Sequence, residues 1–171
     1  HAHFSGFTPD DKYVVAVDLG TDKLVTYTFD NNKLTEAGSF SFNPGSGPRH
    51  LAFHPKEKYV YVFTELSNEI VTLAYEDVPN AFKEVQVVST LPDDFIENSQ
   101  GSAIHISSDG RFVYAANRGH DSIAVFEVNP YSGELSLIQR VPSAGNWPRD
   151  FVLDPTEAFV IVSNEETGNV V

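Results

Sequence analysis

One phrase occurs four times along the chain, and this repetition constrains the fold more than any other feature of the sequence. Each copy has a short apolar run, a polar turn, and then a run of aromatic and β-branched residues. The aromatic residues that begin the second run are 46, 53 and 47 residues apart, at Tyr13, Tyr59, Phe112 and Phe159. Self-similarity at such a period is the sequence signature of a repeat architecture.

Each repeat contains four strand-like runs. In the second repeat a first run begins at Arg49, and the others cover residues 59–64, 70–75 and 84–89. Val, Ile, Tyr, Phe and Thr dominate these runs, which favours strands, and no segment predicts a helix. The pattern predicts an all-β fold, a β-propeller with four-stranded antiparallel blades. A β-sandwich or an open solenoid is the alternative, but a sandwich does not produce repeats so long and so alike. Extra residues between Leu91 and Gln100 predict a loop insertion.

Residues 1–171 are predicted to form part of a single propeller domain, with about three and a half blades present. Closed propellers have about four to eight blades, and an open half ring would leave bare strand edges. Two explanations remain: the chain is a fragment of a longer protein, or copies assemble into a ring. We favour the fragment and predict no oligomeric state.

The formal net charge is −13, from 24 acidic and 11 basic residues. This field repels nucleic acid and anionic membranes, so neither is a predicted partner. An anionic metabolite would need basic groups gathered at its own site. No apolar run approaches the roughly 18 residues of a membrane helix. The chain has no cysteine, which fits a cytoplasmic location.

Polar residues of different types occupy equivalent places near one rim of the predicted propeller. A hairpin places the start of one strand beside the end of its partner. The position that opens the first strand, here called the opening position, is held by His3, Arg49, Ser102 and Arg149. The position that follows the second strand, the closing position, is held by Leu19, Glu65, Arg118 and Glu165. Such variety suits a pocket to which several blades contribute, although solvated rim charges or an Arg49–Glu65 salt bridge would also explain it.

The histidines support no metal site. His1 and His3 face the same side of a strand, and a His-x-His pair can bind metal, but no third ligand is evident. His54 lies in a turn and is predicted to be solvated, and His105 lies within a strand, where a core histidine is an alternative to a ligand-binding one.

Four stretches resemble the seven-bladed lactonase family, which includes bacterial 6-phosphogluconolactonases and fungal carboxymuconate-lactonizing enzymes. They are residues 1–4, 47–55, 64–68 and 117–123. The resemblance covers all 171 residues and implies that about half of the family's chain is present. It also implies catalytic roles for four residues on one face of the propeller, which are His1, Arg49, Glu65 and Arg118. His3, His105 and Arg149 are further candidates for binding substrate.

The reaction that the resemblance implies is hydrolysis of a sugar lactone, 6-phosphoglucono-1,5-lactone, an anionic small molecule. Glu65 or His1 could take the proton of the attacking water. One of Arg49 and Arg118 could stabilise the oxyanion while the other holds the phosphate, and no cofactor is required. The sequence contains no Gly-x-Ser-x-Gly elbow, so a serine nucleophile is not predicted. The alternatives are a carboxymuconate cycloisomerase on the same scaffold and a non-catalytic protein-interaction propeller.

Overall fold

The structure, a computed structural model, describes residues 1–75 and 82–171. This part of the chain contains fifteen β-strands and no helix. The first sheet comprises β1 (Ala2–Phe7), β2 (Tyr13–Asp18), β3 (Lys23–Asp30) and β4 (Lys33–Ser41). The second comprises β5 (Pro48–Phe53), β6 (Tyr59–Thr64), β7 (Glu69–Ala74) and β8 (Lys83–Ser89). The third comprises β9 (Gln100–Ile106), β10 (Phe112–Arg118), β11 (Ser122–Val128) and β12 (Leu135–Pro142), and the fourth comprises β13 (Pro148–Leu153), β14 (Val160–Asn164) and β15 (Asn169–Val170).

Every sheet is antiparallel and follows chain order, so each repeat forms one blade. The predicted run 59–64 coincides with β6, and the predicted insertion forms the strand-free connection between β8 and β9. The prediction of an all-β propeller with four-stranded blades is therefore confirmed, with the fourth sheet represented by three strands.

Apolar side chains form three cores, each between two consecutive sheets. The first and second sheets share a core that includes Val15, Leu24, Val60 and Val71. The second and third sheets enclose Tyr61, Phe63, Val113 and Phe126. The third and fourth sheets enclose Ile123, Val125, Phe151 and Val162. Strands with alternating apolar residues bury one face against each neighbour, and this stacks the blades around the propeller axis.

The first two strands of each blade meet at the rim as the hairpin argument requires. Pro48 pairs with Thr64, and Gln100 pairs with Arg118. The register also shifts by one residue at the start of every first strand, which is a β-bulge. The extra residue is the opening residue His3, Arg49 or Arg149 in the first, second and fourth sheets. A bulge re-aims the side chain that it carries, so these residues leave the regular alternation of the strand.

In each of the first three blades, a polar residue in the turn between the second and third strands binds the segment that leads into the next blade. Asp22 Oδ1 accepts a hydrogen bond from the Gly47 amide (2.8 Å), and Asp121 Oδ1 accepts one from the Trp147 amide (2.8 Å). In the second sheet Asn68 Nδ2 donates to a backbone carbonyl before β9 (3.0 Å). All three turn residues have positive φ (53–54°), a conformation that Asn and Asp tolerate better than most residues. These bonds fix the backbone that carries the opening position.

His54 is not solvated, and the prediction made for it was wrong. It is buried, its Nε2 lies 3.1 Å from the carbonyl oxygen of Gly110 in the next blade, and its Nδ1 accepts the amides of Lys56 and Glu57. The turn is thus held against the third sheet by a contact that sequence neighbours do not reveal. In the described part of the chain no helix is long and apolar enough to cross a membrane.

Candidate active site

Glu65 lies between two buried arginines at the rim. Its Oε2 accepts a hydrogen bond from Arg49 Nε (2.8 Å) and forms an ion pair with Arg118 Nη2 (2.9 Å). The arginine side chains are only 3% and 5% exposed, and that of Glu65 is 18% exposed. Three of the four predicted catalytic residues therefore meet: one lies in β5, one directly follows β6, and one is the last residue of β10. These residues are called the Arg–Glu–Arg trio below.

Backbone carbonyls hold one edge of each guanidinium. Arg49 Nη1 donates to Ser102 O (2.9 Å), and Arg118 Nη2 donates to Gly101 O (2.7 Å). Arg49 Nη2, Arg118 Nη1 and Glu65 Oε1 have no hydrogen-bond partner among the described residues. Backbone carbonyls thus anchor the trio, and three of its polar atoms are left without a partner in the described part of the chain.

The trio carries a net positive charge inside a strongly acidic chain. Two guanidiniums outnumber the single carboxylate, and burial together with the neighbouring Arg118 lowers the pKa of Arg49. Such a local positive centre is what an anionic ligand requires when the overall field repels it.

Two histidines lie beside the trio and are held neutral. Burial, followed by the charge of Arg49, lowers the pKa of His50 to about 4 and also lowers that of His3. Arg49 Nη1 donates to His50 Nε2 (3.3 Å), which places the ring proton on Nδ1. The two imidazoles meet edge to face with centroids 5.1 Å apart. His50 was not among the predicted site residues, and its position directly after Arg49 is the only sequence signal for it.

The first strands of the four blades line a pocket of about 440 Å³ next to this histidine pair. Its polar walls come from His50, His105 and Asp150, and Phe4 contributes an apolar wall. His105 is half-exposed, with Nε2 3.7 Å from Asp150 Oδ1 and its ring against Phe151. His105 therefore faces a pocket near the axis, where a small polar ligand could reach it, and is not enclosed in a core.

The structure does not bring His1 into contact with the trio. Its side chain is 90% exposed. His3 lies nearer the trio: burial, followed by the charge of Arg49, lowers its pKa, and the charges of Glu65 and Arg118 also act on it. The catalytic role of His1 stays a prediction.

Arg149 forms the equivalent ion pair in the fourth blade, through a different nitrogen. Its Nη1 donates to Glu165 Oε2 (2.8 Å), but the two side chains are 52% and 46% exposed. The predicted substrate-binding arginine thus lies near the same rim in a pair that is open to solvent. A guanidinium in such a pair can turn to a ligand at little cost.

Metal coordination has no support in the residues that the structure describes, where no three His, Asp or Glu side chains converge. The arrangement instead suits acid–base chemistry on an anionic compound. Glu65 Oε1 can accept a proton, and Arg49 Nη2 and Arg118 Nη1 can stabilise negative charge that develops on oxygen.

Comparison with known proteins gives one consistent relationship. The family described as Lactonase, 7-bladed beta-propeller, matches residues 1–171. A 6-phosphogluconolactonase of Bacillus subtilis is 68% identical over 171 residues, which cover all of this chain and 49% of that protein. A solved structure of a Lactobacillus plantarum protein superposes with a TM-score of 0.95 at 41% identity, covering 99% of this chain and 50% of that one. The structure of the periplasmic gluconolactonase PpgL of Pseudomonas aeruginosa superposes with a TM-score of 0.91 at 32% identity, covering 99% of this chain and 52% of that one. The chain thus spans about half the length of the relatives that it matches.

Proposed function

Because the chain belongs to the lactonase family of seven-bladed β-propellers, we propose that the protein hydrolyses a sugar lactone, 6-phosphoglucono-1,5-lactone, to 6-phosphogluconate. The closely similar 6-phosphogluconolactonase supports this substrate, and the similarity to a gluconolactonase supports the reaction class. Fold alone would not carry the proposal, since a propeller hosts many functions.

The observation that carries the proposal is the Arg–Glu–Arg trio, in which three polar atoms have no hydrogen-bond partner among residues 1–75 and 82–171. Lactone hydrolysis needs a group that removes a proton from water and donors that meet the developing oxyanion. Glu65 Oε1 can serve as the first, while Arg49 Nη2 and Arg118 Nη1 can serve as the second. Because the other edges of these side chains are bonded, little reorganisation is needed when charge develops.

The steps balance without a cofactor. Water attacks the lactone carbonyl carbon while Glu65 takes its proton, and the carbonyl oxygen becomes an oxyanion beside the guanidiniums. Collapse of this intermediate breaks the bond to the ring oxygen, which receives the proton back from Glu65. His1 remains the alternative base, and the imidazole of His3 lies close enough to the trio to interact with the charges of all three members.

The phosphate calls for a cation outside the trio. Arg49 and Arg118 share one carboxylate and are almost fully buried, so they suit the reacting carbonyl better than a bulky phosphate. Arg149 is half-exposed near the same rim, and its guanidinium fork matches phosphate oxygens. The sugar hydroxyls would then face the neutral and acidic groups of the 440 Å³ pocket, among them His50 and Asp150.

The experiment is hydrolysis of freshly prepared 6-phosphoglucono-1,5-lactone by the protein expressed from its complete coding sequence. Glu65→Gln removes the proton acceptor and keeps the size, so we expect kcat to fall by about 10²-fold or more. Glu84→Gln on the exposed face of β8 is the matched control and should leave kcat unchanged. Initial rates are corrected for spontaneous hydrolysis at the same pH.

Turnover that is lost in Glu65→Gln and kept in Glu84→Gln would support the reaction and its base together. Full turnover in Glu65→Gln would remove Glu65 from the mechanism and direct the search for the base to His1. No turnover by a folded protein would reject the lactone as substrate and make a carboxymuconate the next compound to assay, because the same residues suit a polycarboxylate.

We also propose that the protein acts in the cytoplasm on a free metabolite, without nucleic acid or membrane partners. The absence of cysteine and the net charge of −13 support this. Fractionation of the native host, followed by detection of the protein, tests the location.

A further inference from the structure

The single tryptophan of the chain, Trp147, lies beside Arg118 immediately before β13. The Cζ atom of Arg118 is 5.7 Å from the centroid of the indole, within the range of a cation–π contact. The indole is half-buried, and its backbone has a φ of +64°. A bulky residue in the left-handed region is a true conformational outlier, and such strain persists where the surroundings enforce it, often at functional sites.

The second blade makes the same turn with glycine. Gly47 precedes Pro48 with a φ of +65°, as Trp147 precedes Pro148. Both amides donate to an aspartate in the preceding turn (2.8 Å each). Both carbonyls accept the amide of the closing residue, Glu65 at 2.7 Å and Glu165 at 2.9 Å. The two backbones are therefore equivalent, and the turn itself does not require a tryptophan.

What the tryptophan adds is a face against Arg118. The Nε and Nη2 atoms of that guanidinium already bond the carbonyls of Gln100 and Gly101, and Nη2 also pairs with Glu65. An indole covers the plane of the guanidinium without occupying any of its hydrogen-bond donors, so Nη1 stays available. Indole is also the strongest aromatic partner for a cation.

We propose that Trp147 is a positioning residue of the candidate active site, which holds the Arg118 guanidinium plane so that Nη1 meets the lactone oxyanion. This inference rests on the proposed function. It explains why a strained tryptophan occupies a position at which the chain elsewhere uses glycine. It assigns to the fourth blade a part in the chemistry of a site built by the second and third.

The test compares Trp147→Gly, Trp147→Ala and Trp147→Phe in the protein expressed from its complete coding sequence. We expect kcat to fall by about 3-fold to 30-fold in the Gly and Ala variants, with KM little changed, because Arg118 acts on charge that appears in the transition state. Phenylalanine should restore most of kcat. The Trp147→Gly variant should melt at a higher temperature than Trp147→Ala, because glycine adopts a positive φ without strain.

A structural role would give a different pattern. If Trp147 only packs, kcat per folded molecule stays at the wild-type value in every variant, and that result would overturn the inference while leaving the lactonase intact. If Phe fails to restore kcat, the aromatic face is not what holds Arg118, and the inference is likewise lost.

A second readout does not depend on turnover. The difference spectrum between the wild type and Trp147→Phe isolates the emission of Trp147, and Arg118→Met should shift that emission by removing the cation from the ring. Absence of turnover in the wild type would reject the proposed function alone. An emission unchanged by Arg118→Met in a folded protein would reject the contact, and with it the positioning role.

Discussion

Glu65 and Glu165 offer a matched pair of perturbations within one chain. Each follows the second strand of its blade, and each accepts a hydrogen bond of 2.8 Å from an arginine sixteen residues earlier. The pairs differ in burial, since the Arg49 and Glu65 side chains are 3% and 18% exposed while those of Arg149 and Glu165 are 52% and 46% exposed. Replacing each glutamate by glutamine therefore compares a buried carboxylate that pairs with two arginines with an exposed carboxylate that pairs with one.

The expected magnitudes differ several-fold. Removing one member of a buried ion pair costs about 3–5 kcal/mol, because the charges that remain are left uncompensated. Glutamine keeps one oxygen as an acceptor for Arg49, so we expect Glu65→Gln to lower the free energy of unfolding by about 3 kcal/mol, the lower end of that range. Repulsion between Arg49 and Arg118 adds to the effect, since Glu65 is the anion that separates them. An exposed pair contributes about 0–1 kcal/mol, which is the loss expected for Glu165→Gln.

The assay is urea denaturation of the 171-residue chain and both variants, followed by circular dichroism at low salt and again at 0.5 M salt. At about 2–4 °C per kcal/mol for a chain of this size, thermal melts should show a loss of about 6–12 °C for Glu65→Gln. Salt should reduce only the effect of Glu165→Gln, because buried charges are poorly screened. Equal losses in the two variants would refute the reasoning that burial and the second arginine make the Glu65 pair the stronger one.

Three further predictions concern single side chains. Arg149→Ala should raise KM for the phosphorylated lactone by about 10-fold and leave unphosphorylated gluconolactone unaffected, as steady-state kinetics on both substrates would reveal; equal effects on both would remove Arg149 from phosphate binding. Because the folded-state pKa of His50 is about 4, the unfolded chain binds more protons as the pH falls below 6.5, so stability should drop between pH 6.5 and pH 4, by at most about 1.4 kcal/mol per pH unit for this one proton. The urea midpoints at pH 7 and pH 5 should then differ less in His50→Asn than in the wild type. An equal difference in both proteins would contradict the low pKa of His50. His54→Ala should lower the free energy of unfolding by about 2–3 kcal/mol, because buried amides and the Gly110 carbonyl lose their partner. An unchanged urea midpoint would contradict a stabilising role for these hydrogen bonds.

The blades could be predicted because their signals are local. Strand runs such as residues 59–64 combine β-branched and aromatic residues, and polar turns separate them. The four strands of a repeat can therefore be predicted from the sequence of that repeat alone. The period then dictates which sheet packs on which. The rim positions could be predicted for a related reason, since hairpin geometry alone places Arg49 near Glu65.

The bulges and the contacts between blades could not be predicted in this way. A one-residue register shift at Arg49 depends on the partner strand and leaves no mark on the alternation of the sequence. His54 looked solvated because its carbonyl partner, Gly110, is 56 residues away in the next blade. His50 was overlooked for the same reason, because its low pKa arises from burial and from the charge of Arg49, neither of which its neighbours in the sequence display.

The charge balance of the site is likewise a property of neighbouring blades. Arg49–Glu65 and Arg149–Glu165 are the same motif at the same spacing, and each alone is a neutral pair. Arg118 reaches the first pair from the third sheet, and with it Glu65 becomes the single anion between two buried cations. Repetition thus predicts where an ion pair lies. Departures from repetition, namely Arg118 at the closing position and Trp147 in place of glycine, distinguish the pair that we propose as the site for an anionic substrate. In a propeller, the positions to examine for function are therefore those at which equivalent backbones carry unlike side chains.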